Sequence, residues 1–271
     1  MRSILFCIVC FGISALSGCS TVHNMNKDTG GSSLDLDRKG MLLMSLEFSN
    51  EFRPEKKAGV DQKIVYLLVD AKDEETGKIT SHNFRPDESS VFAKNGYAKY
   101  AFRMLLPEGD YRLRLAVVNG GYGFGYGLLF MPNPVKASAV LPLILDTNVK
   151  SGEVYYIGNI SAIIKERTKD DELRATIMPS HLIPQPVDFA AGFQTGTFDV
   201  QVIDKFESEV DWYKEKYPVL QSYNIGKEIL LPYNYESAKK WVKNAGGFVT
   251  HPSYAKPVSD GNSTNSVDSL Q

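Results

Sequence analysis

Residues 97–117 of the chain read YAKYAFRMLLPEGDYRLRLAV, and apolar side chains recur at every second position in each half. A period of two is typical of a half-buried β-strand. The predicted apolar faces consist of Ala98, Tyr100, Phe102, Met104 and Leu106 in the first half and of Tyr111, Leu113, Leu115 and Val117 in the second. Residues 107–110, Pro-Glu-Gly-Asp, have the composition of a turn. We therefore predict two strands paired as a hairpin.

Four basic residues occupy the opposite faces of these two strands: Lys99, Arg103, Arg112 and Arg114. If the strands pair with each other, these side chains form a cationic stripe on one face of the sheet. One interpretation is an ordinary solvated face, and the other is contact with anionic envelope glycolipid.

Further strand-like runs, separated by turn signals, fill residues 40–203, and no helix-length crossovers lie between them. This spacing favours an antiparallel β-sandwich over a parallel sheet. In residues 204–250 the period changes, which predicts one helix ended by Pro218 and a second over 235–245 with Asn234 as its N-cap. Asp204 and Glu207 fit a capping box for the first helix. The predicted fold class is mainly β, an antiparallel β-sandwich with two C-terminal α-helices packed on it.

The N-terminus has the plan of an export signal, with Arg2 followed by an apolar segment at residues 4–15. The segment is shorter than the roughly 20 residues that a membrane-spanning helix needs. It ends in residues 16–19, Leu-Ser-Gly-Cys, which resemble the lipobox of bacterial lipoproteins. The resemblance implies that residues 1–18 are a signal peptide cleaved between Gly18 and Cys19, and that Cys19 carries lipid.

Both ends of the exported chain are polar. Residues 19–39 and 251–271 are rich in Ser, Asn, Asp and Gly or Pro, and such compositions bury too little apolar surface to order themselves. We predict a flexible tether over 19–39 and a disordered tail over 251–271. In enteric-type lipoproteins Ser20 after the cysteine implies the outer membrane, with the periplasmic or surface face left open.

Two segments carry a second resemblance. Residues 106–111, Leu-Pro-Glu-Gly-Asp-Tyr, resemble the hairpin of transthyretin-like and carboxypeptidase-regulatory-like sandwiches, with Glu108 as an extra residue. Residues 152–156, Gly-Glu-Val-Tyr-Tyr, resemble a segment of uncharacterised proteobacterial lipoproteins with such sandwiches. These resemblances imply a fold and no activity.

Residues 120–127 alternate glycine with aromatic residues, which places Tyr122, Phe124 and Tyr126 on one face of an extended chain. A phosphate-binding loop would need a helix after it, whereas two prolines and more strand-like sequence follow. The segment is either an aromatic bend packed on the core or an exposed loop that contacts glycan, lipid or a partner protein.

No catalytic or metal-binding constellation is evident. The histidines His23, His82, His181 and His251 lack ligand-spaced companions, so we predict surface or loop histidines, no metal and no cofactor. Two Ser-x-x-Lys matches, at 237–240 and 253–256, are expected by chance. The balance of 30 basic and 32 acidic residues gives no reason to expect a nucleic-acid partner.

Two classes of function follow. The first is a lipid-anchored cell-envelope protein, a non-enzymatic binding or assembly module with an envelope protein or glycan as partner. The alternative is an envelope hydrolase whose active site is assembled from scattered residues.

Overall fold

The computed structural model describes residues 20–53, 60–72, 76–94, 97–122, 136–175 and 192–244. The chain is mainly β, and its strands form two sheets. The predicted signal peptide, Cys19 and the tail over 251–271 lie outside the described residues. Within those ranges, no helix is long and apolar enough to cross a membrane.

Sheet I contains five strands, which are β1 (Ser20–His23), β3 (Val60–Lys72), β4 (Ile79–Phe84), β7 (Gly109–Tyr122) and β8 (Lys136–Val149). Their spatial order is β1-β4-β3-β7-β8. The short β1 runs parallel to β4, whereas the other neighbours are antiparallel.

Sheet II contains six strands, which are β2 (Lys39–Asn50), β5 (Val91–Lys94), β6 (Tyr97–Pro107), β9 (Val154–Glu166), β10 (Gly196–Ile203) and β11 (Ile225–Lys227). The order is β10-β9-β2-β6-β5, and β11 pairs with β9. Because β2 and β11 are both parallel to β9, the sheets are mixed, and the prediction of a purely antiparallel arrangement is wrong.

The predicted hairpin of residues 97–117 is also wrong. β6 pairs with β2 and β5 in sheet II, whereas β7 pairs with β3 and β8 in sheet I. The chain changes sheets around Gly109, whose φ of 147° is unfavourable for other residues. Alternation indicates that a segment is a strand, but it carries no information about which strand lies beside it.

Three clusters of buried hydrophobic residues hold the chain together. The largest combines both sheets, including Leu46 and Phe102 of sheet II and Leu67 and Leu113 of sheet I. The second joins the other face of sheet II to side chains within residues 206–229. The third joins the other face of sheet I to Val242.

The described ranges contain three α-helices: α1 (Met25–Thr29), α2 (Phe206–Lys216) and α3 (Tyr235–Asn244). The two predicted C-terminal helices correspond to α2 and α3. Asn234 caps α3 as expected, since its Oδ1 accepts a 2.9 Å hydrogen bond from the Ser237 N–H. The capping box predicted for α2 is wrong, because the N-cap is Lys205, and Asp204 forms an ion pair with Lys227 at 2.6 Å.

The segment expected to be a flexible tether is folded from Ser20 onward. We call residues 20–36 the N-terminal strap. Its β1 pairs with β4, and in α1 the Met25 side chain is 1% exposed, with its Sδ 3.3 Å from the Arg103 N–H of β6. Leu34 is buried, and its N–H donates to the Tyr223 hydroxyl at 3.0 Å. Main-chain pairing and two apolar anchors order this segment despite its polar composition.

Ala175 links an edge strand of sheet I to an edge strand of sheet II. The Val140 N–H of β8 donates to the Ala175 carbonyl at 2.8 Å, and the Ala175 N–H donates to the Gly196 carbonyl of β10 at 2.9 Å. Ala175 is fully buried. These bonds satisfy main-chain groups at the edges of β8 and β10, which would otherwise lack strand partners there.

Candidate functional site

The predicted lipidation site lies directly beside a strand. Gly18 and Cys19 precede the first described residue, and Ser20 already belongs to β1, aligned with Ser81 of β4. The residue that directly follows Cys19 in the sequence is therefore already part of sheet I.

The predicted binding loop starts at the opposite end of sheet I. Tyr122 is the last residue of β7, whereas Phe124 and Tyr126 lie outside the described residues. Across sheet I, Ser20 of β1 pairs with Ser81, Ser81 pairs with Asp70, and Asp70 pairs with Arg112 of β7, so Ser20 and Arg112 lie at the same level. β7 runs in the same direction as β1. At about 3.3 Å per residue, the backbone of Tyr122 lies roughly 30 Å further along the sheet than Ser20.

A buried polar cluster fastens α2 to sheet II, and we call it the Glu209 cluster. Glu209 is 2% exposed. Its Oε2 accepts hydrogen bonds from Ser45 Oγ at 2.5 Å and from the Tyr156 hydroxyl at 2.9 Å. Its Oε1 accepts a hydrogen bond from Lys99 Nζ at 2.7 Å, and Asn159 Nδ2 donates to Ser45 Oγ at 2.6 Å.

The environment of the cluster keeps its phenol groups neutral. Burial, together with the charge of Glu209, raises the pKa of Tyr156 far above its usual range. The same two causes raise the pKa of Tyr213, a buried tyrosine of α2, whose hydroxyl donates to the Met44 carbonyl at 2.7 Å. Both phenols therefore act as hydrogen-bond donors at neutral pH.

Ser45 and Glu209 are, chemically, a hydroxyl nucleophile beside a base. Ser45 and Asn159 are fully buried under α2, however, so no substrate can reach the hydroxyl in this conformation. The geometry instead provides charge-assisted hydrogen bonds between a helix and the sheet beneath it. Sequence reasoning missed this cluster, although Glu209 lies one turn before the buried Tyr213, at helical spacing.

A second buried charge lies nearby on β6. Arg103 is 0% exposed, and its Nη2 is 2.8 Å from Asp87 Oδ2. The guanidinium lies 4.0 Å from the ring centroid of Tyr217 at the end of α2, and Nη1 lies 3.3 Å from Ser90 Oγ. Its Nε has no hydrogen-bond partner among the residues that the structure describes.

The cationic stripe expected on one sheet face does not form. Lys99 and Arg103 belong to sheet II, and Arg112 and Arg114 belong to sheet I. Each is paired with a carboxylate, because Arg112 contacts Asp146 at 2.6 Å and Arg114 contacts Asp70 at 3.2 Å, in addition to the pairs described above. The glycolipid-binding interpretation loses its geometric basis. The solvated-face interpretation holds only for Arg112, because the side chains of Lys99, Arg103 and Arg114 are 17%, 0% and 11% exposed.

Two of the histidines predicted to be isolated are in contact. His23 of β1 and His82 of β4 are joined by a 2.8 Å hydrogen bond between Nε2 and Nδ1. His82 is 8% exposed, and burial is the main cause that lowers its pKa to about 4. Burial also lowers the pKa of His23. In the described part of the chain, no group of three or more His, Cys, Asp or Glu side chains could hold a metal ion.

No protein-family model matches the chain, and searches of curated proteins and of solved structures found no match.

Proposed function

We propose that this chain is a bacterial lipoprotein, anchored in the outer membrane through acyl chains on Cys19, whose β domain is a non-enzymatic binding or assembly module. The observation that carries the proposal is the junction of the lipobox-like residues 16–19 with β1. A cysteine at this junction would hold the domain beside the lipid headgroups. The face of the membrane on which it lies stays open.

The fold that we infer for the module is a β-sandwich of sheets I and II, with α2 packed on the outer face of one sheet and α3 on that of the other. The shared hydrophobic cluster of both sheets supports the sandwich. The two further clusters support the positions of the helices. The Glu209 cluster adds polar contacts to α2.

The energetics of lipidation favour a lasting anchor. Each buried methylene contributes about 0.8 kcal/mol, and a single myristoyl chain holds a protein at a membrane only marginally. The two or three acyl chains implied by the lipoprotein resemblance would hold this domain persistently.

Labelling with a palmitate analogue tests the anchor. We expect label in the wild-type protein and at least a tenfold loss in Cys19→Ala, because Cys19 is the modified thiol in this proposal. The matched control is the double variant Cys7→Ala/Cys10→Ala, which keeps Cys19 and should label like the wild type. Unchanged labelling of Cys19→Ala would refute the proposal.

The expected binding loop determines where a partner would contact the module. Its start at Tyr122 is roughly 30 Å from the level of Ser20 along sheet I, so an anchor at Cys19 leaves this end of the domain away from the attachment point. A partner there would be an envelope protein or a glycan, which an aromatic loop can contact through its rings.

A photo-crosslinking amino acid at Phe124, introduced in living cells, tests the loop. We expect a discrete crosslinked product at this position and none when the same amino acid replaces Glu236, an exposed residue of α3. Identical products from both positions, or none from Phe124, would contradict a binding role. A mobility shift that is removed by glycan hydrolases rather than by protease would identify a glycan.

The hydrolase alternative has one specific observation in its favour, the 2.5 Å contact of Ser45 Oγ with Glu209 Oε2. It requires α2 to move away from sheet II before a substrate could reach Ser45. Since Glu209 and Tyr213 are both buried on that face, such a movement would break the second hydrophobic cluster. We therefore place this alternative second.

A further inference from the structure

The strand that follows Cys19 is held by few contacts. β1 has four residues, and among the described strands it pairs only with β4, so none of these strands lies on its other main-chain edge. Val22 at its centre is 57% exposed. The side-chain contacts described for β1 are those of His23, which bonds to His82 and stacks on the Phe84 ring at a centroid distance of 4.4 Å.

The hydrogen bond between the two histidines depends on their protonation. One ring nitrogen must donate and the other must accept, so both rings can be neutral, whereas two imidazolium rings offer only donors. Two cations separated by 2.8 Å between ring nitrogens would also repel each other at a largely buried site.

The groups around the pair do little to stabilise a second positive charge. The carboxylate that acts on His82 is Asp70 of β3, which already pairs with Arg114 at 3.2 Å and accepts a hydrogen bond from Ser81 at 2.7 Å. From β7, the Tyr111 ring meets His82 edge-on at 5.7 Å, and its hydroxyl donates to the Pro107 carbonyl.

We propose that His23 and His82 form an acid-sensitive latch, which fastens β1 to sheet I while the pair is hydrogen-bonded and releases the strand when both rings are protonated. The latch responds to proton concentration. The part that moves is Ser20–Asn24, up to the start of α1. Helix α1 stays in place, because Met25 is buried beside Arg103 independently of the histidines.

The direction of the response follows from proton linkage. Burial lowers the pKa of both histidines below the 6.5 of a free imidazole, so the fastened strand binds fewer protons than the released strand. The latch is therefore strongest above pH 6.5 and weakens as the pH falls toward 4. For His82 alone, linkage predicts a roughly 10- to 100-fold rise in the released-to-fastened ratio between pH 7 and pH 4.5.

Release would change how the domain is attached. Five residues of extended chain span about 15 Å, so a lipid-anchored domain would gain about that reach from the membrane in acid. This consequence rests on the proposed anchor at Cys19. The latch itself does not, and a protein that fails the palmitate test could still pass the test below.

Hydrogen exchange measured by NMR tests the latch on the processed protein in detergent micelles. After correction for intrinsic exchange rates, we expect the β1 amides to lose about 10- to 100-fold of their protection between pH 7 and pH 4.5. Amides of β9 should keep theirs. The histidine ring resonances, followed in the same titration, should change with the same midpoint as the β1 amides.

Variants separate the latch from general acid destabilisation. His82→Gln retains a hydrogen-bonding side chain but cannot gain a charge, so its loss of β1 protection in acid should shrink to the part that comes from the burial of His23. His181→Gln removes a histidine outside the pair and should behave like the wild type. Equal β1 protection at both pH values in the wild type, or an unchanged loss in His82→Gln, overturns the proposal. If His82→Gln releases β1 already at pH 7, the wild-type titration is the test. A common midpoint for the histidine rings and the β1 amides then supports the latch, and different midpoints overturn it.

Discussion

Replacing Glu209 with alanine is expected to lower the free energy of unfolding by about 3–5 kcal/mol, the range for breaking a buried ion pair from one side. Lys99, whose side chain is 17% exposed, would lose its carboxylate. Ser45 and Tyr156 would lose the acceptor that both share. An unsatisfied buried polar group costs about 1–3 kcal/mol, so the loss should lie well above that of an ordinary surface substitution.

Urea denaturation followed by circular dichroism measures this loss. Glu207→Ala is the matched control, since Glu207 is an exposed residue of the same helix and should cost less than about 0.5 kcal/mol. Glu209→Gln should fall between the two, because its amide oxygen still accepts hydrogen bonds but no longer neutralises Lys99. If Glu209→Ala and Glu207→Ala unfold alike, the Glu209 cluster does not hold α2.

Fluorescence can localise the effect to α2. Trp212 lies on this helix, with Lys99 Nζ 4.6 Å from its ring centroid. With Trp241 replaced by phenylalanine, Trp212 reports its surroundings alone. In Glu209→Ala the Trp212 signal should change at lower urea than the circular dichroism of the strands, since α2 loses its polar contacts while both sheets keep theirs.

The strands of residues 97–117 show what local sequence can and cannot predict. Alternation located β6 and β7 and the apolar face of β6, because side-chain direction in a strand is a property of neighbouring residues. The single apolar face predicted for β7 is wrong, since the pairing of β7 with β8 shifts between Leu113 and Leu115. This shift places Leu113 in the cluster shared by both sheets and Leu115 in the cluster on the other face of sheet I. Their assignment to different sheets depends on residues 40 to 60 positions away, such as Met44, which pairs with Phe102. The predicted hairpin and the predicted cationic stripe failed together for this reason.

The prediction of a flexible tether at the N-terminal strap failed for a different reason. Composition measures how much apolar surface a segment carries, but β1 is ordered by main-chain hydrogen bonds to β4, which any sequence can form. The contact of His23 with His82 likewise joins residues 59 positions apart through the strand register. Metal-ligand spacing along the chain cannot detect such a pair.

The helices were predicted better, because their apolar spacing and the Asn234 cap are local. Glu209 was nevertheless missed. An acidic residue among the buried positions of a helix is a detectable signal. Its role depends on its partners Ser45 and Lys99, however, which lie on two strands of sheet II that are far from Glu209 in the sequence.

Arg103→Ala is expected to lower the free energy of unfolding by about 3–5 kcal/mol, since it removes a fully buried charge from its partner and leaves a cavity. Burial alone would raise the pKa of Asp87, but hydrogen bonds from Ser89 and Ser90 and the charge of Arg103 hold it below its usual range. The pair therefore stays charged at neutral pH, and its contribution is lost only as the pH falls below about 4.

Arg112→Ala provides the comparison, because Arg112 was predicted to occupy an equivalent outward position on the neighbouring strand. Its side chain is 51% exposed and that of its partner Asp146 is 64% exposed, so the pair should be worth less than about 1 kcal/mol. Urea titrations of both variants, at pH 7 and at pH 3, measure the difference. If Arg103→Ala costs no more than Arg112→Ala at pH 7, burial does not distinguish these two arginines.

Arg103→Met separates the loss of charge from the loss of volume. Methionine fills much of the space beside Tyr217, and the freed Asp87 side chain, 24% exposed, retains access to water. We therefore expect Arg103→Met to cost about 1–2 kcal/mol, clearly less than Arg103→Ala, because replacing a buried charge with an apolar side chain of similar size is often tolerated. Equal losses in the two variants would mean that the ion pair, rather than packing, supplies the stability of this site.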